Sequence, residues 1–157
     1  MSKNKLMSNG RVAQNRKARY NYEINEKLEV GIILKGTEVK SLRNGQASIS
    51  ESYAAETSGR LCLINSNIPV YEAANLFNHD PIRQRELLVS KKQRNRLLGL
   101  IKREGVTLVP LSLYFNNKGC AKIDLGIAKG KRKEDKRQTI KQREWNRQKS
   151  RIMKENN

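Results

Sequence analysis

The chain has 157 residues, enough for one domain with tails, and its 33 Lys and Arg against 15 Asp and Glu give a net charge of +18. No apolar run approaches the ~20 residues of a membrane-spanning helix, and the N-terminus lacks the apolar stretch of a secretory signal, so we expect a cytoplasmic protein. A zinc site is excluded by the lack of a CxxC motif and the single histidine. We expect Cys62 and Cys120, which fall in strand-like runs, to be reduced and mostly buried.

The charge is concentrated at the two ends of the chain. Residues 1–19 hold six basic residues and no acid, and residues 129–157 hold twelve basic and four acidic residues. The middle holds fifteen basic and eleven acidic residues. This distribution predicts a disordered basic arm over 1–14, a globular body over 15–129 and a basic tail over 130–157. Such arms indicate nucleic-acid binding, with anionic membranes as the competing polyanion.

The first half of the body alternates like a strand and then turns helical. Tyr20, Tyr22 and Ile24 share one face, and LEVGIIL (28–34) continues the strand, with Gly31 a candidate for a bulge or a close approach. KGTEVKSLRNG (35–45) predicts one or two helical turns capped by Thr37 and ended by the glycine at 45.

The second half predicts two hairpins and one longer helix. SISESYAAE and RLCLINSNIP flank a turn at TSGR, residues 75–81 form a loop, and NNKG joins VTLVPLSLYF to CAKIDLGIA. The helix begins after Ser90 and ends at Gly105. It places Arg94, Leu97, Leu98 and Ile101 on one side. The last two strands should turn inward Leu111, Leu113 and Phe115, and Ala121, Ile123 and Leu125.

About six short strands with one clear helix predict a mainly β fold. We expect a small antiparallel β-barrel, open or closed, with one or two short helices, because barrels remove exposed sheet edges. The tail that follows is different in kind. Its i,i+4 pairs are mostly like-charged, and four such pairs cost about 1–2 kcal/mol in total. We therefore expect a tail that is unfolded alone and becomes helical when phosphates quench the repulsion.

The sequence predicts no catalytic residue, metal site or cofactor. His79 sits in a loop beside Asp80 and is interpreted as a loop histidine with satisfied hydrogen bonds; AKGKRK lacks the spacing of a phosphate-binding loop. RNA is favoured over duplex DNA because helix-turn-helix, zinc-finger and zipper patterns are absent. Tyr20, Tyr22, Tyr71 and Trp145 are candidates for stacking on bases, and either of the first two is as plausible in the core.

Six segments together resemble one known family. They are NRKARYNYEI (15–24), ILKGTEVKSLRNGQASISESY (33–53), DPIRQRELL (80–88), LVPLSLYF (108–115), LGIAKGKRKEDKR (125–137) and EWNRQKSRIMK (144–154). They resemble the small protein B family, the SsrA-binding proteins of bacterial ribosome rescue. The resemblance implies a non-enzymatic adaptor whose barrel is of the oligonucleotide-binding type and holds the tRNA-like domain of transfer-messenger RNA.

The resemblance also implies where the partners bind. The tail would enter the empty message channel of the small ribosomal subunit and fold as a helix at the decoding centre. Elongation factor Tu, carrying the alanyl form of the RNA, would be an indirect partner of a monomeric protein. The RNA-binding residues predicted on the barrel are Asn15, Lys17, Arg19, Glu29, Glu38, Lys40, Arg43 and Leu88. Those predicted for the ribosome are Gly130, Lys131, Arg132, Asp135, Lys136, Arg137, Lys141, Trp145, Ile152 and Met153.

Physical roles follow for some of these residues. Lys and Arg neutralise phosphates, and Gly130 would let the chain turn sharply where the barrel ends. Glu29 would accept hydrogen bonds from base or ribose donors, or orient a neighbouring arginine. Where the family often has an aromatic residue or histidine, this chain has Glu134, which cannot stack in that way. The alternatives are a structural ribosomal protein or a general RNA chaperone, and an RNA-processing enzyme is disfavoured by the scattered carboxylates.

Overall fold

The computed structural model describes residues 10–74 and 77–156, with only the backbone described at 133–135. Seven strands and four helices follow one another along this part of the chain. They are β1 (Arg11–Gln14), α1 (Ala18–Asn21), β2 (Tyr22–Ile32), α2 (Gly36–Arg43), β3 (Tyr53–Thr57), β4 (Arg60–Ile64), β5 (Arg85–Leu88), α3 (Lys91–Glu104), β6 (Thr107–Phe115), β7 (Ala121–Gly130) and α4 (Lys133–Glu155).

The seven antiparallel strands form one sheet that closes into a barrel. Their order is β1-β6-β3-β4-β5-β2-β7, and a further pairing of β6 with β7 closes the ring. The ring itself has six strands, β6, β3, β4, β5, β2 and β7, because β1 lies alongside one end of β6. This confirms the predicted mainly β barrel. None of the helices in the described residues combines the length and the hydropathy of a membrane span.

Strand β1 corrects the predicted N-terminal arm. Residues 1–9 lie outside the described residues, but Arg11 to Gln14 pair with Ser112 to Tyr114 of β6. Val12 and Ala13 of β1 are buried in the core. Disorder through residue 14 is therefore wrong for its last residues, because two small apolar side chains with a paired backbone outweigh the polar composition around them.

The core lies inside the barrel. Ala121, Ile123 and Leu125 of β7 pack into it, as their alternation predicts. The predicted alternation of β6 is wrong at Leu111. A bulge between Pro110 and Ser112 shifts the strand's phase, so Leu111 packs outside, in a smaller cluster with Ala18, Val109 and Ala128, while Leu113 and Phe115 stay with the main core.

The predicted turns are confirmed and set the register of two hairpins. Ser58 and Gly59 join β3 to β4 with φ of 51° and 77°. Gly119 joins β6 to β7 with φ of 78°, and the Asn116 side chain accepts hydrogen bonds from two backbone N–H groups of the same turn. These left-handed positions suit glycine and short polar residues.

Helix α3 confirms its predicted ends, whereas α2 and α1 require corrections. The Ser90 side chain caps α3 by accepting from the Gln93 N–H, and Gly105 ends it in the left-handed conformation. The N-cap of α2 is Lys35 rather than Thr37, with Glu38 accepting from the Lys35 N–H. The predicted strand should begin at Tyr20, but Tyr20 and Asn21 lie in α1 and the strand begins at Tyr22.

Helix α4 shows the tail in its helical form. It extends from Lys133 to Glu155. Its unfolding in the absence of a partner stays a prediction.

Both cysteines are free, as expected, but the expectation of burial holds only for Cys62, since Cys120 is exposed in the β6–β7 turn.

Candidate nucleic-acid interface

Two of the predicted RNA-binding residues lie on one outer face of the barrel. Glu29 and Gly31 are two residues apart on β2, so they face the same side of the sheet. Gly31 pairs with Leu88 of β5, whose side chain lies over it and is 56% exposed. A Cβ on Gly31 would meet the Leu88 Cβ at 3.2 Å, which confirms the close approach predicted at this glycine. This outer face of β2, β5 and β7 presents a carboxylate and an exposed leucine side by side.

The Glu29 carboxylate is held by a tyrosine from across the sheet. The Tyr114 hydroxyl donates to Glu29 Oε2 and also lies 3.3 Å from Asp124 Oδ1. The Ser112 hydroxyl donates to Asp124 Oδ2 at 3.0 Å. Burial and the hydrogen bond to Glu29 raise the pKa of Tyr114 far above its ordinary value, so the hydroxyl stays protonated and remains a donor.

Glu38 is buried and cannot contact RNA, which corrects its predicted role. Its side chain is fully enclosed. Arg83 donates to it through Nε at 3.0 Å and Nη2 at 2.6 Å, and Arg85 donates through Nε at 3.0 Å. Burial raises its pKa, but the hydrogen bonds from Arg83 and Lys35 and the two arginine charges outweigh this and lower the pKa overall. Glu38 therefore joins α2 to the start of β5 and to the segment just before it.

Asn15 is also buried, and its described contacts are structural. Its Nδ2 donates to the Pro110 carbonyl at 3.1 Å, and its backbone N–H donates to the Leu111 carbonyl at 2.8 Å. Asn15 therefore supports the bulge of β6 rather than presenting a side chain to RNA. Its Oδ1 is buried without a hydrogen-bond partner among the described residues.

The remaining predicted cations of the barrel are exposed. Lys17 lies 3.8 Å from Glu51 in a pair open to solvent, and the Lys40 ammonium lies 5.6 Å from the centre of the Tyr71 ring. Arg19 and Arg43 are exposed as well. Exposed pairs of this kind stabilise little, so these cations remain available to phosphates.

The start of the tail is joined to α1 through Lys131. Its N–H donates to the Asn21 carbonyl at 2.9 Å, and its ammonium donates to the Arg19 carbonyl at 2.9 Å and to Thr139 Oγ1 at 3.2 Å. The Lys136 ammonium lies 5.7 Å from the centre of the Tyr20 ring. The first turns of α4 thus rest on α1, which brings predicted barrel and tail residues together.

Gly130 does not make the sharp turn that the sequence predicts. It is the last residue of β7, pairs with Tyr22 and is not among the residues with positive φ. The change of direction falls on Arg132, whose extended backbone (φ −68°, ψ 158°) precedes the helix. Space is open around the Gly130 Cα, so a side chain there meets no neighbour among the described residues.

Beyond its first turns, α4 presents its side chains to solvent. Arg137 and Lys141 are exposed, Trp145 is 63% exposed, and Ile152 and Met153 are each 58% exposed. Asp135 and Glu134 lie in the helix, but their side chains are outside the described part. The helix sequence holds nine Lys and Arg against four acids. The described part of the helix beyond its first turns therefore exposes both cations and large apolar side chains to solvent.

The predicted loop histidine is confirmed, and it has no free ring nitrogen. His79 is buried, with Nδ1 2.9 Å from Thr37 Oγ1 and Nε2 2.8 Å from the Ile68 carbonyl. A carbonyl accepts, so Nε2 carries the proton. No group of His, Cys, Asp and Glu among the described residues is arranged to hold a metal ion.

Sequence reasoning missed four residues that organise the site. From the sequence alone, Arg83 and Arg85 are interpreted as two further cations. Tyr114 and Asp124 are interpreted as residues on the outer face of a hairpin. The DPxRxRxLL motif signals the arginines only when Glu38 is known to be buried. Tyr114 and Glu29 are 85 residues apart, so no local pattern connects them.

Comparisons with known proteins agree on one family. The family model described as SmpB protein matches residues 12–155. An SsrA-binding protein of Rhizobium etli (strain CIAT 652) is 57% identical over 145 residues, covering 92% of this chain and 91% of the relative. An SsrA-binding protein of Agrobacterium fabrum is 58% identical with the same coverage, and one of Allorhizobium ampelinum is 59% identical over 143 residues, covering 91% and 90%.

A solved structure shows the same fold. It is described as "tmRNA-SmpB: a journey to the center of the bacterial ribosome" and is 48% identical in sequence, with a TM-score of 0.64. The match covers 81% of this chain and 92% of the solved chain.

Proposed function

Because the chain belongs to the SmpB protein family, we propose that it is an RNA-binding adaptor of trans-translation, and not an enzyme. The barrel binds the tRNA-like domain of transfer-messenger RNA, and the tail accompanies this RNA to the stalled ribosome. The relatives named SsrA-binding proteins and the solved tmRNA-SmpB structure support this proposal.

One observation of the structure supports the division of labour between barrel and tail. Among the described contacts, Lys131 and Lys136 connect the start of α4 to α1, and the helix then presents cations and apolar side chains to solvent along its length. A merely solubilising helix has no use for an exposed Trp145 or Ile152. In a helix that enters an RNA-lined channel, the cations neutralise phosphates and the aromatic ring stacks on bases.

We assign the finer roles accordingly. Glu29 and Leu88, with the exposed cations of the barrel, face the partner RNA. Lys136, Arg137, Lys141 and Trp145 face the decoding centre and the vacant message channel, and Ile152 and Met153 lie near the end of the helix. The protein acts in the cytoplasm as a monomer, and elongation factor Tu joins through the alanyl form of the RNA.

The test is RNA binding by the full chain and by a Met1–Lys129 truncation, measured at several salt concentrations with the isolated tRNA-like fragment. We expect both to bind tightly, with a modestly smaller salt slope for the truncation because few phosphates contact the tail in this complex. Loss of binding on truncation contradicts the division, because it would make the tail the anchor for this RNA.

Ribosome association separates this function from the main alternative. A structural ribosomal protein is permanently and stoichiometrically bound, whereas an adaptor binds a minor fraction of ribosomes and only with its partner RNA. Quantifying the protein in washed ribosomes, with and without transfer-messenger RNA, distinguishes the two.

A further inference from the structure

A second carboxylate stands directly opposite the RNA-facing carboxylate of the barrel. Glu29 and Asp124 are partners in the register of β2 and β7. Side chains at such positions lie about 4.5–5.5 Å apart at Cβ, where two like charges destabilise the sheet. The Tyr114 hydroxyl sits between them, donating to Glu29 and lying within 3.3 Å of Asp124. The single hydroxyl proton of Tyr114 thus lies between two carboxylates.

The two carboxylates differ in how many of their oxygens have a hydrogen-bonding neighbour. Both oxygens of Asp124 have hydroxyl neighbours, Tyr114 and Ser112. The described contact of Glu29 uses Oε2 alone, which leaves Oε1 able to accept a hydrogen bond from an external donor. None of the ion pairs among the described residues involves Glu29, so its orientation of a neighbouring arginine, one of its two suggested roles, has no support here.

The negative charge of Glu29 and Asp124 determines which chemical groups of an RNA can contact Glu29. Two carboxylates repel phosphate, and a carboxylate accepts hydrogen bonds but donates none. Resting on the proposed function, we propose that Tyr114 is a positioning residue that orients Glu29 to accept a hydrogen bond from a donor group of the RNA, a ribose 2′-hydroxyl or a base N–H. Asp124 keeps phosphates away from the same place. Glu29 therefore contributes selectivity among RNA groups rather than attraction to the backbone.

The test is a double-mutant cycle on affinity for the tRNA-like fragment, with variants Tyr114→Phe, Glu29→Ala and the double variant. Tyr114→Phe keeps the ring and removes only the hydroxyl. We expect about tenfold weaker binding, the order of one hydrogen bond to a charged group, with an unchanged salt slope. The double variant should bind no more weakly than Glu29→Ala, because Tyr114 acts only through Glu29.

Two controls keep the proposal falsifiable. Tyr53→Phe removes a hydroxyl from an exposed tyrosine of β3 and should leave affinity unchanged. Asp124→Asn should not weaken binding, since it removes a repulsive charge; tenfold weakening would make Asp124 itself the contact and overturn the proposal. Affinity of Tyr114→Phe within twofold of the unmodified protein, or effects that multiply in the double variant, would also overturn it.

The source of the donor is identified by repeating the cycle with a 2′-O-methylated fragment. Coupling between Tyr114 and Glu29 that disappears with this RNA assigns the ribose hydroxyl, and coupling that persists assigns a base N–H. Failure of the proposed function looks different from failure of this inference. In that case the unmodified protein would bind the tRNA-like fragment no better than an unrelated RNA of equal length.

Discussion

Replacing Glu38 by glutamine should destabilise the fold severely while sparing RNA recognition. The substitution preserves shape but removes the carboxylate that pairs with the guanidinium of Arg85, which is fully buried, and with that of Arg83, a quarter exposed. Removing one partner of a buried ion pair costs about 3–5 kcal/mol. For a chain of this length the expected fall in Tm is about 2–4 °C for each kcal/mol.

Urea and thermal denaturation measure this loss, and the chain offers a matched control. Glu26→Gln breaks the pair with Arg96, which is open to solvent on both sides, and should leave the free energy of unfolding unchanged. The double variant Glu38→Gln/Arg85→Met removes both buried charges and should recover part of the loss. A loss below about 1 kcal/mol for Glu38→Gln would refute the reasoning.

The pH dependence of stability provides a second measurement on the same variant. The pKa of Glu38 is lowered in the folded protein, so its stabilisation is complete above the ordinary carboxyl pKa and disappears as the pH falls through the folded value. Glu38→Gln should therefore show a flatter fall in stability on the acid side than the unmodified protein. At a temperature where the variant is folded, its RNA affinity should be unchanged, because the side chain is buried.

Three further predictions concern the tail and the loop before β5. Arg137→Ala should leave affinity for the tRNA-like fragment nearly intact while abolishing tagging on stalled ribosomes, measured by binding and by a tagging assay; equal loss of both would contradict the division of roles. A synthetic peptide of residues 130–157 should show little helix by circular dichroism and gain helix on adding RNA, since phosphates quench its like-charge pairs; full helicity without RNA would contradict this. His79→Ala should lower the free energy of unfolding by about 1–3 kcal/mol, because it leaves the Thr37 hydroxyl and the Ile68 carbonyl without their partner; an unchanged urea midpoint would show that water replaces the ring.

Locally encoded features were predictable from the sequence. The turn at Ser58 and Gly59, the cap at Ser90 and the stop at Gly105 each depend on a few neighbouring residues, and the structure confirms all of them. The alternation of β7 was equally readable. Where the strand is interrupted, as by the bulge before Ser112, the same reasoning fails, because a bulge depends on the partner strand as well.

The sequence likewise predicts some features of the candidate site and not others. The exposed cations of the tail follow from composition, since no core accommodates nine Lys and Arg in 23 residues. Burial of a charged residue cannot be read locally. Glu38 and Asn15 look like polar surface residues, and only their distant partners Arg85 and Pro110 show that each serves the interior.

The sequence by itself determined the basic ends, the barrel class and the family, because charge balance, turn residues and motifs are properties of the chain in order. Only the tertiary structure decided that Glu29 meets Tyr114 and Asp124, and that Lys131 links the tail to α1. These contacts join residues that are 85, 95 and 112 positions apart in the sequence. The register of the paired strands brings them together, and no short segment of the sequence specifies that register.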